Sequence, residues 1–458
     1  MPVLSFHRRI MLFLSIAVLF HTGNAAAFGL MQAFDAALQN DPTYRAAVHE
    51  NEAGQQFTSI GRSFLLPNIS FSYTTNANQQ DFQDQTTTPS TSSFRQYQSE
   101  NESLLFRQPV FNLDSFARYK QGIAQTSQST AKFSERSQDL IVRIVGAYAD
   151  AKIAEDQLAL AFAELNRYTE QRQMNARMFE KGEGTKTDML ETQSRYDLAQ
   201  AQVIEARDHQ SNMRTVLATI SGIDQVTRMD SLSESFRVSP MIPNNFEEWK
   251  SIAMETNPEI IAQRHTIEIA REEINRQRAG HAPRIDLIAG VNRQKSDIPI
   301  MVGMDFLTRS VGVQVNVPIF NGGNVSAVTS QAASNHEKSK SELDAKTNQV
   351  LIELHKQYNL VLSSMTRIDA LTKSVESSTF LVEAMQKSVK KGLRNNLDTL
   401  NAQHQLFTAK RDLSQARYTY LSSYLKLRKA AGTLGAGDLK DIAGYFISSS
   451  SPANPADK

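Results

Sequence analysis

The chain has 458 residues, 49 Lys and Arg against 48 Asp and Glu, no cysteine and a mean hydropathy of −0.39. The lack of cysteine excludes disulfide frameworks, thiolate metal sites and cysteine nucleophiles, and the balanced charge argues against a nucleic-acid binder driven by counterion release. A polar average without an apolar run of about 20 residues excludes an ordinary helical membrane protein. It leaves open a membrane β-barrel, whose strands alternate in polarity.

The chain opens with the pattern of a secretory signal peptide, residues 1–27. A basic start precedes an apolar stretch from Ile10 to Phe20, and Ala25-Ala26-Ala27 supplies small residues before a predicted cleavage at Phe28. The stretch is too short for a stable span, and no stop-transfer segment follows it. We therefore expect an exported protein, with a buried N-terminal helix as the alternative.

The remainder is predicted to be a tandem repeat, because seven landmarks recur in the same order at offsets of 209 to 216 residues. They are Asp41-Pro42 with Asn257-Pro258, Pro67 with Pro283, Gln108–Asn112 with Val317–Asn321, Tyr148 with Tyr358, Lys181-Gly182 with Lys391-Gly392, Asp188 with Asp398 and Gly222 with Gly432. We place the first repeat at 28–239 and the second at 240–445. A polar tail, 446–458, is predicted to be disordered.

Within each repeat, a helix and two strands are predicted to precede a very long helical hairpin. The proline-free segments Leu113 to Lys181 and Gly323 to Lys391 contain 69 residues each and are rich in good helix formers. A helix of that length would extend about 100 Å. Glycines then interrupt both patterns and are predicted to form the turns at the hairpin tips; these are Gly182, Gly184 and Gly392.

Four short segments alternate in polarity as half-buried strands do. They lie around Ile69 to Thr74, Leu104 to Phe106, Ile285 to Asn292 and Val311 to Val317. Polar loops, 76–95 and 294–306, are predicted to join each pair. Four strands cannot close on themselves, yet no open sheet edge survives in lipid. If the strands cross a bilayer, several chains must share one barrel, with eight strands from two chains or twelve from three. The alternative is two hairpins packed on helices in a periplasmic protein.

The duplication, the proline-ended strands and the tips together resemble the TolC family of outer-membrane efflux and secretion channels. The strand ends are Gln108-Pro109-Val110-Phe111-Asn112 and Val317-Pro318-Ile319-Phe320-Asn321-Gly322-Gly323. The resemblance extends over about residues 30–446. The segment from Arg177 to Asp197 looks most like the branch that serves type I protein secretion.

This resemblance implies a fold that combines long helices with a membrane β-barrel. A homotrimer would share one twelve-stranded barrel in the outer membrane, in contact with its lipid, and one long α-helical barrel in the periplasm. It implies the exit duct of a type I secretion system, which passes a polypeptide cargo from an inner-membrane ABC transporter and a periplasmic adaptor to the exterior. The alternatives are the duct of a multidrug efflux pump and a periplasmic coiled-coil scaffold without a channel.

The resemblance also implies a periplasmic gate at the hairpin tips. Thr187 and Asp188 match linking residues of the first hairpin, Arg394 matches their cationic partner, and Asp398 matches an acid at the constriction. The alternative for each is a solvated residue at a helix end. The tip glycines Gly182, Gly184 and Gly392 would contact the adaptor.

Two positions depart from the family pattern. Val389 stands where a tyrosine is usual, so the link to Asp188 cannot form in the same way. Asn401 stands where a second acid can occur, which weakens the expected preference for cations.

The sequence predicts no enzyme, cofactor or metal site. The nine histidines include no pair four residues apart, as a zinc-binding HExxH helix requires. Gly184-Thr185-Lys186-Thr187 lacks the leading glycine of a phosphate-binding loop. A Gly-x-Ser-x-Gly nucleophile motif is also absent.

Overall fold

The computed structural model describes residues 28–84, 91–223, 229–233, 236–238, 240–297, 304–391, 393–394 and 396–447. The predicted signal peptide, Gly392 and residues 448–458 lie outside this description. Two short helices, two long strands and a long helical hairpin follow one another in the same order in each half of the chain. The first half contains α1 (Leu30–Asn40), α2 (Pro42–Ser63), β1 (Asn68–Asp84), β2 (Thr91–Phe111), α3 (Leu113–Glu180) and α4 (Lys186–Ser221).

A two-residue strand, β3 (Ser231–Leu232), precedes the second half. That half contains α5 (Phe246–Thr256), α6 (Pro258–Arg278), β4 (Arg284–Ser296), β5 (Met304–Asn316), α7 (Asn324–Lys390), α8 (Asn396–Ala431), α9 (Ala436–Ala443) and β6 (Phe446–Ile447). The strand β6 pairs with β3. Phe446 and Ile447, which the sequence analysis placed in a disordered tail, form these backbone pairs.

Matching residues begin the second helix of each half. The Asp41 carboxylate accepts hydrogen bonds from the backbone N–H groups of Thr43 and Tyr44, at 2.7 and 3.2 Å. The Asn257 side chain does the same for α6. In both cases a proline occupies the first helical position, where its missing N–H costs nothing. The first landmark of the repeat is thus a helix start.

The long helices have the predicted lengths. The helices α3 and α7 contain 68 and 67 residues, which corresponds to about 100 Å each. Each folds back on the following helix, α4 or α8, and α3 also packs against α8. The largest buried core lies where α1, α5 and α9 pack on these helices, around Tyr148, Leu217, Trp249 and Leu425. None of the helices in the described part of the chain is long and apolar enough to cross a membrane.

One antiparallel sheet unites the two halves, in the order β1-β2-β4-β5. Its strands extend well into the segments predicted to be loops, since β1 continues to Asp84 and β2 begins at Thr91. The stretch from Asn76 to Asp84 is mainly polar and so lacks the apolar face that strand prediction relies on. Strands β1 and β5 form the two edges of the sheet.

The two faces of this sheet differ in polarity. The register places Ile69, Phe106, Ala289 and Val311 side by side in one row. We call this side the apolar face; its other members include Phe71, Leu104, Leu287, Val291, Val313 and Val315. Many of its residues are exposed in the single chain, for example Val311 at 79% and Phe71 at 68%. The opposite side, the polar face, carries Ser72, Ser103, Asn292 and Thr308 in one row.

Candidate functional site at the hairpin tips

The first tip is the turn between α3 and α4, residues 181–185. Gly182 has a φ of +73°, a conformation that L side chains rarely adopt. The backbone N–H groups of Glu183 and Gly184 both donate to the Met178 carbonyl, at 2.9 and 3.1 Å. These bonds close the C-terminal end of α3 and leave an exposed glycine at the extremity of the hairpin.

The sequence-predicted residue Asp188 serves the start of its own helix. Its backbone N–H donates to Thr185 Oγ1 at 3.1 Å, and its carboxylate accepts from the Thr185 N–H at 3.3 Å. This reciprocal pair is a capping box. The neighbouring Thr187 is exposed and makes no side-chain hydrogen bond within the described residues. Within one chain, Asp188 therefore has the helix-end role that the sequence left as its alternative.

A buried polar clasp, Asn175 and Thr192, holds the two helices together behind this tip. Asn175 Nδ2 donates to Thr192 Oγ1 at 2.7 Å and to the Asp188 carbonyl at 3.3 Å. Thr192 Oγ1 also donates to that carbonyl, at 2.8 Å. Only 5% of Asn175 and 1% of Thr192 are exposed. Sequence analysis missed this pair, since no local pattern shows which residues of two antiparallel helices face each other.

The second tip joins α7 to α8 and contains two predicted gate residues. Leu393 and Arg394 are exposed, and Asp398 lies in the first turn of α8. Arg394 Nη1 lies 3.6 Å from Asp398 Oδ2. Arg394 thus pairs with the acid one turn further on, rather than with Thr187 or Asp188 of the same chain. Gly392, the glycine predicted to make this turn, lies outside the described residues.

The two hairpins contact each other just behind the tips. Tyr168, Ala199 and Leu400 form a small buried cluster between α3, α4 and α8. On α8, the side-chain oxygen of Asn401 accepts a hydrogen bond from Arg195 Nη2 at 3.4 Å. The position that departs from the family pattern is thus used as a link between hairpins.

A second polar link lies one turn further along α8. His404 Nδ1 is 2.8 Å from Glu164 Oε1, and the Tyr168 hydroxyl donates to the same carboxylate oxygen at 3.4 Å. Burial, with the neighbouring Glu164 charge, raises the pKa of Tyr168 to about 12. The phenol therefore stays neutral and can donate its hydrogen bond to Glu164 at any physiological pH. These contacts fix the position of α8, which carries Asp398, relative to the first hairpin.

The arrangement favours an electrostatic role over chemistry. An exposed cation and a half-buried acid stand at the end of two paired helices, and both are held by polar contacts. Such groups can filter charged solutes and can make or break ion pairs when helices move.

Comparison with known proteins identifies relatives that cover nearly the whole chain. Residues 33–223 and 249–433 match the family described as outer membrane efflux protein. The chain is 40% identical to the alkaline protease secretion protein AprF of Pseudomonas aeruginosa, over 95% of this chain and 90% of that protein. It is 34% identical to the proteases secretion protein PrtF of Dickeya chrysanthemi, over 96% of both.

Solved structures provide a comparison of the fold. The CmeC outer membrane channel of Campylobacter jejuni superposes with a TM-score of 0.77 at 15% identity, over 91% of this chain and 90% of that chain. At this identity the likeness shows the fold alone.

Proposed function

Because the chain belongs to the outer membrane efflux protein family, we propose that it is the exit duct of a type I secretion system. As the TolC resemblance implied, it is an outer-membrane channel protein that extends into the periplasm. Its cargo is a polypeptide that an ABC transporter in the inner membrane drives through a periplasmic adaptor. The energy comes from that transporter, and this chain supplies the path and the gate, without catalysis or a cofactor.

Similarity to two protease secretion proteins carries the choice of cargo. They match at 40% and 34% identity over at least 90% of the length of each protein. Relatives with efflux names match less closely; the cation efflux protein CusC of Escherichia coli is 22% identical over 70% of this chain. Because the names of these relatives refer to secreted proteases, we infer a polypeptide cargo rather than a small molecule, and we propose that it passes as an unfolded chain.

Three copies of the chain form the proposed channel. The sheet ends in two edges, β1 and β5. In the proposed trimer, β5 of one copy pairs with β1 of the next. Three four-stranded sheets then close one twelve-stranded barrel, which leaves no unpaired edge in lipid. The strong exposure of the apolar face in one chain supports this arrangement, because lipid would cover that face. The polar face would then line the aqueous path.

The helical hairpins continue this path across the periplasm and narrow it at the tips. In the trimer, three copies of Asp398 surround the constriction and favour cations. Arg394, Thr187 and Asp188 link neighbouring hairpins in the closed state. The ion pair between Arg394 and Asp398 within each chain competes with these links. The adaptor grips the tips near Gly182, Gly184 and Gly392 and opens them by a shift of the hairpins.

A secretion assay in the native cell tests this function. Deleting the gene should remove one or a few polypeptides from the culture medium and retain them inside the cell, as mass spectrometry of both fractions would show. A plasmid copy should restore export. A tip variant with Gly182→Pro should restore it poorly although the protein reaches the outer membrane, because proline cannot adopt a φ of +73°. The matched control is Gly437→Ala, whose added Cβ meets no atom within 4 Å.

Two other outcomes would favour the alternative functions. An unchanged set of exported polypeptides, together with greater sensitivity to small toxic compounds, would indicate an efflux duct. Recovery of the protein in the soluble periplasmic fraction would indicate a scaffold without a channel.

A further inference from the structure

One arginine interrupts the apolar face of the sheet. The register places Phe71, Leu104, Val291 and Arg309 side by side, so Arg309 on the edge strand β5 completes an otherwise apolar row. The rows between Arg309 and the end of the sheet that joins the helices, which we call the rows below it, are mainly apolar. The next row on the other side, above Arg309, contains Tyr73, Glu102, Arg293 and Leu307, and it is the first in which charged side chains face each other. Arg309 therefore marks the upper boundary of the apolar band.

The height of the band agrees with this position. From the exposed Val317 to Arg309 there are eight residues, which span about 26 Å along an extended chain. A strand tilt of about 40° reduces this to a height of about 20 Å, against a lipid-facing band about 25 Å tall in outer-membrane barrels. The helices leave the sheet at the Val317 end, which faces the periplasm in the proposed channel. Arg309 thus lies near the level of the phosphate groups in the extracellular leaflet.

The charge of Arg309 is not neutralised within the described part of the chain. The nearby Arg293 is paired with the carboxylate of Asp305, because its Nε and Nη2 lie 3.0 and 2.8 Å from the two oxygens of that group. Arg309 is exposed and takes part in none of the ion pairs between described residues. An unpaired guanidinium at the edge of hydrocarbon is costly unless an anion from outside the chain meets it.

A shallow groove of about 510 Å³ lies beside the guanidinium on the same face. Besides Arg309, it is lined on the apolar face by Ile69, Leu104, Phe106, Ala289, Val291 and Val311. A hydrocarbon chain fits such a lining, and a cation at its upper end suits a phosphate. The groove and the cation together have the chemistry of a phosphorylated lipid.

We propose that Arg309 binds the phosphate of a phosphorylated lipid in the extracellular leaflet, with an acyl chain in this groove. The proposal rests on the proposed function, in which the apolar face is turned to lipid. A planar guanidinium can donate two parallel hydrogen bonds to the oxygens of a phosphate. Because β5 is an edge strand, the phosphate would lie near the seam between two copies, with the acyl chain against the sheet of one copy.

The test uses the mature trimer in phosphatidylcholine vesicles that contain diphosphoryl lipid A or its dephosphorylated form. After gentle extraction, native mass spectrometry counts the lipid A molecules retained per trimer. The wild type should retain the phosphorylated form about tenfold better, the ratio expected for a charge-assisted bond of about 1.4 kcal/mol. Arg309→Leu should lose this preference and Arg309→Lys should keep part of it. Arg107→Gln, on the polar face of the same sheet, should behave as wild type.

Three results would overturn the proposal. The first is equal retention of both lipid forms by the wild type. The second is an Arg309→Leu variant that still prefers the phosphorylated form. The third is an Arg309→Leu variant whose trimer falls apart while lipid retention per chain is unchanged, which would assign Arg309 to the contact with a neighbouring copy. If the wild type inserts and conducts ions, the proposed function survives any of these; failure to insert at all would overturn both proposals together.

Discussion

Asp398 is the residue whose charge should be measurable in a single channel. It lies in the first turn of α8, and 33% of its side chain is exposed. If three copies surround the constriction, Asp398→Asn should lower the preference for cations on the order of twofold. The reason is that the substitution removes three negative charges from a narrow lumen. The measurement is the reversal potential of single channels in a planar bilayer under a salt gradient.

The control for this variant lies on the same helix. Asp412 also belongs to α8, pairs with Arg411 and has a side chain that is 31% exposed. Asp412→Asn therefore removes the same charge at a similar exposure, but about 21 Å from Asp398. If both variants change selectivity equally, the constriction is not at the tip and Asp398 is a helix-end charge.

Among the elements, the end of α8 shows how tightly the second repeat is packed. Gly432 follows the last helical residue with a φ of +77°, and a Cβ there would meet the Thr256 carbonyl oxygen at 2.4 Å. The Asn257 side chain donates to the Ala430 carbonyl at 2.8 Å, and the Thr256 hydroxyl donates to the Ala431 carbonyl at 2.7 Å. The joint between α5 and α6 thus caps α8.

Gly432→Ala should weaken this joint by two separate effects. The left-handed backbone alone costs about 1 kcal/mol with alanine, and the collision with Thr256 should raise the total to about 3 kcal/mol. Gly322→Ala separates them, since Gly322 has a φ of +58° but no atom within 4 Å of an added Cβ. Thermal unfolding of the detergent-solubilised protein, followed by circular dichroism, should show the larger loss for Gly432→Ala. Equal losses of stability in the two variants would mean that the contact between the added Cβ and Thr256 does not affect stability.

The helices of this chain were more predictable from sequence than its strands. Both long helices end within a residue or two of the prediction, because proline-free segments and capping residues are local signals. The Asp41 and Asn257 pair was recognised from sequence only as a landmark of the repeat, and the structure shows that each residue precedes a helix. The sheet was underestimated, since the ends of β1 and β2 are polar on both faces and their pairing is not a local property.

Contacts between helices were the least accessible to prediction. The clasp between Asn175 and Thr192 within the first hairpin, and the link between Arg195 and Asn401 across the two hairpins, depend on how two helices align. A shift of one turn would separate both pairs. The predicted gate residues were found through a family resemblance, and among the described residues Arg394 pairs with Asp398 rather than with Thr187 or Asp188 of the same chain.

For the whole molecule, the absence of cysteine makes the proposed barrel directly testable. Ser72 on edge strand β1 and Thr308 on edge strand β5 share the polar face and one row of the sheet. With Ser72→Cys and Thr308→Cys in one chain, oxidation should join copies into dimers and trimers if β5 pairs with β1 of the next copy. Non-reducing electrophoresis would show this ladder, and a reductant should abolish it. Neighbouring β5 positions on the polar face would extend the scan if the register is shifted.

The control pair lies inside one chain. Ser72 is directly opposite Ser103 on β2, so Ser72→Cys with Ser103→Cys should form a disulfide without any ladder. A ladder that stops at dimers would indicate an eight-stranded barrel, and no ladder from any register would leave the edges unpaired and contradict a shared barrel. A ladder that stops at trimers would fix twelve strands. It would also place three copies of Asp398 around one axis, which is the condition on which the proposed selectivity of the tip depends.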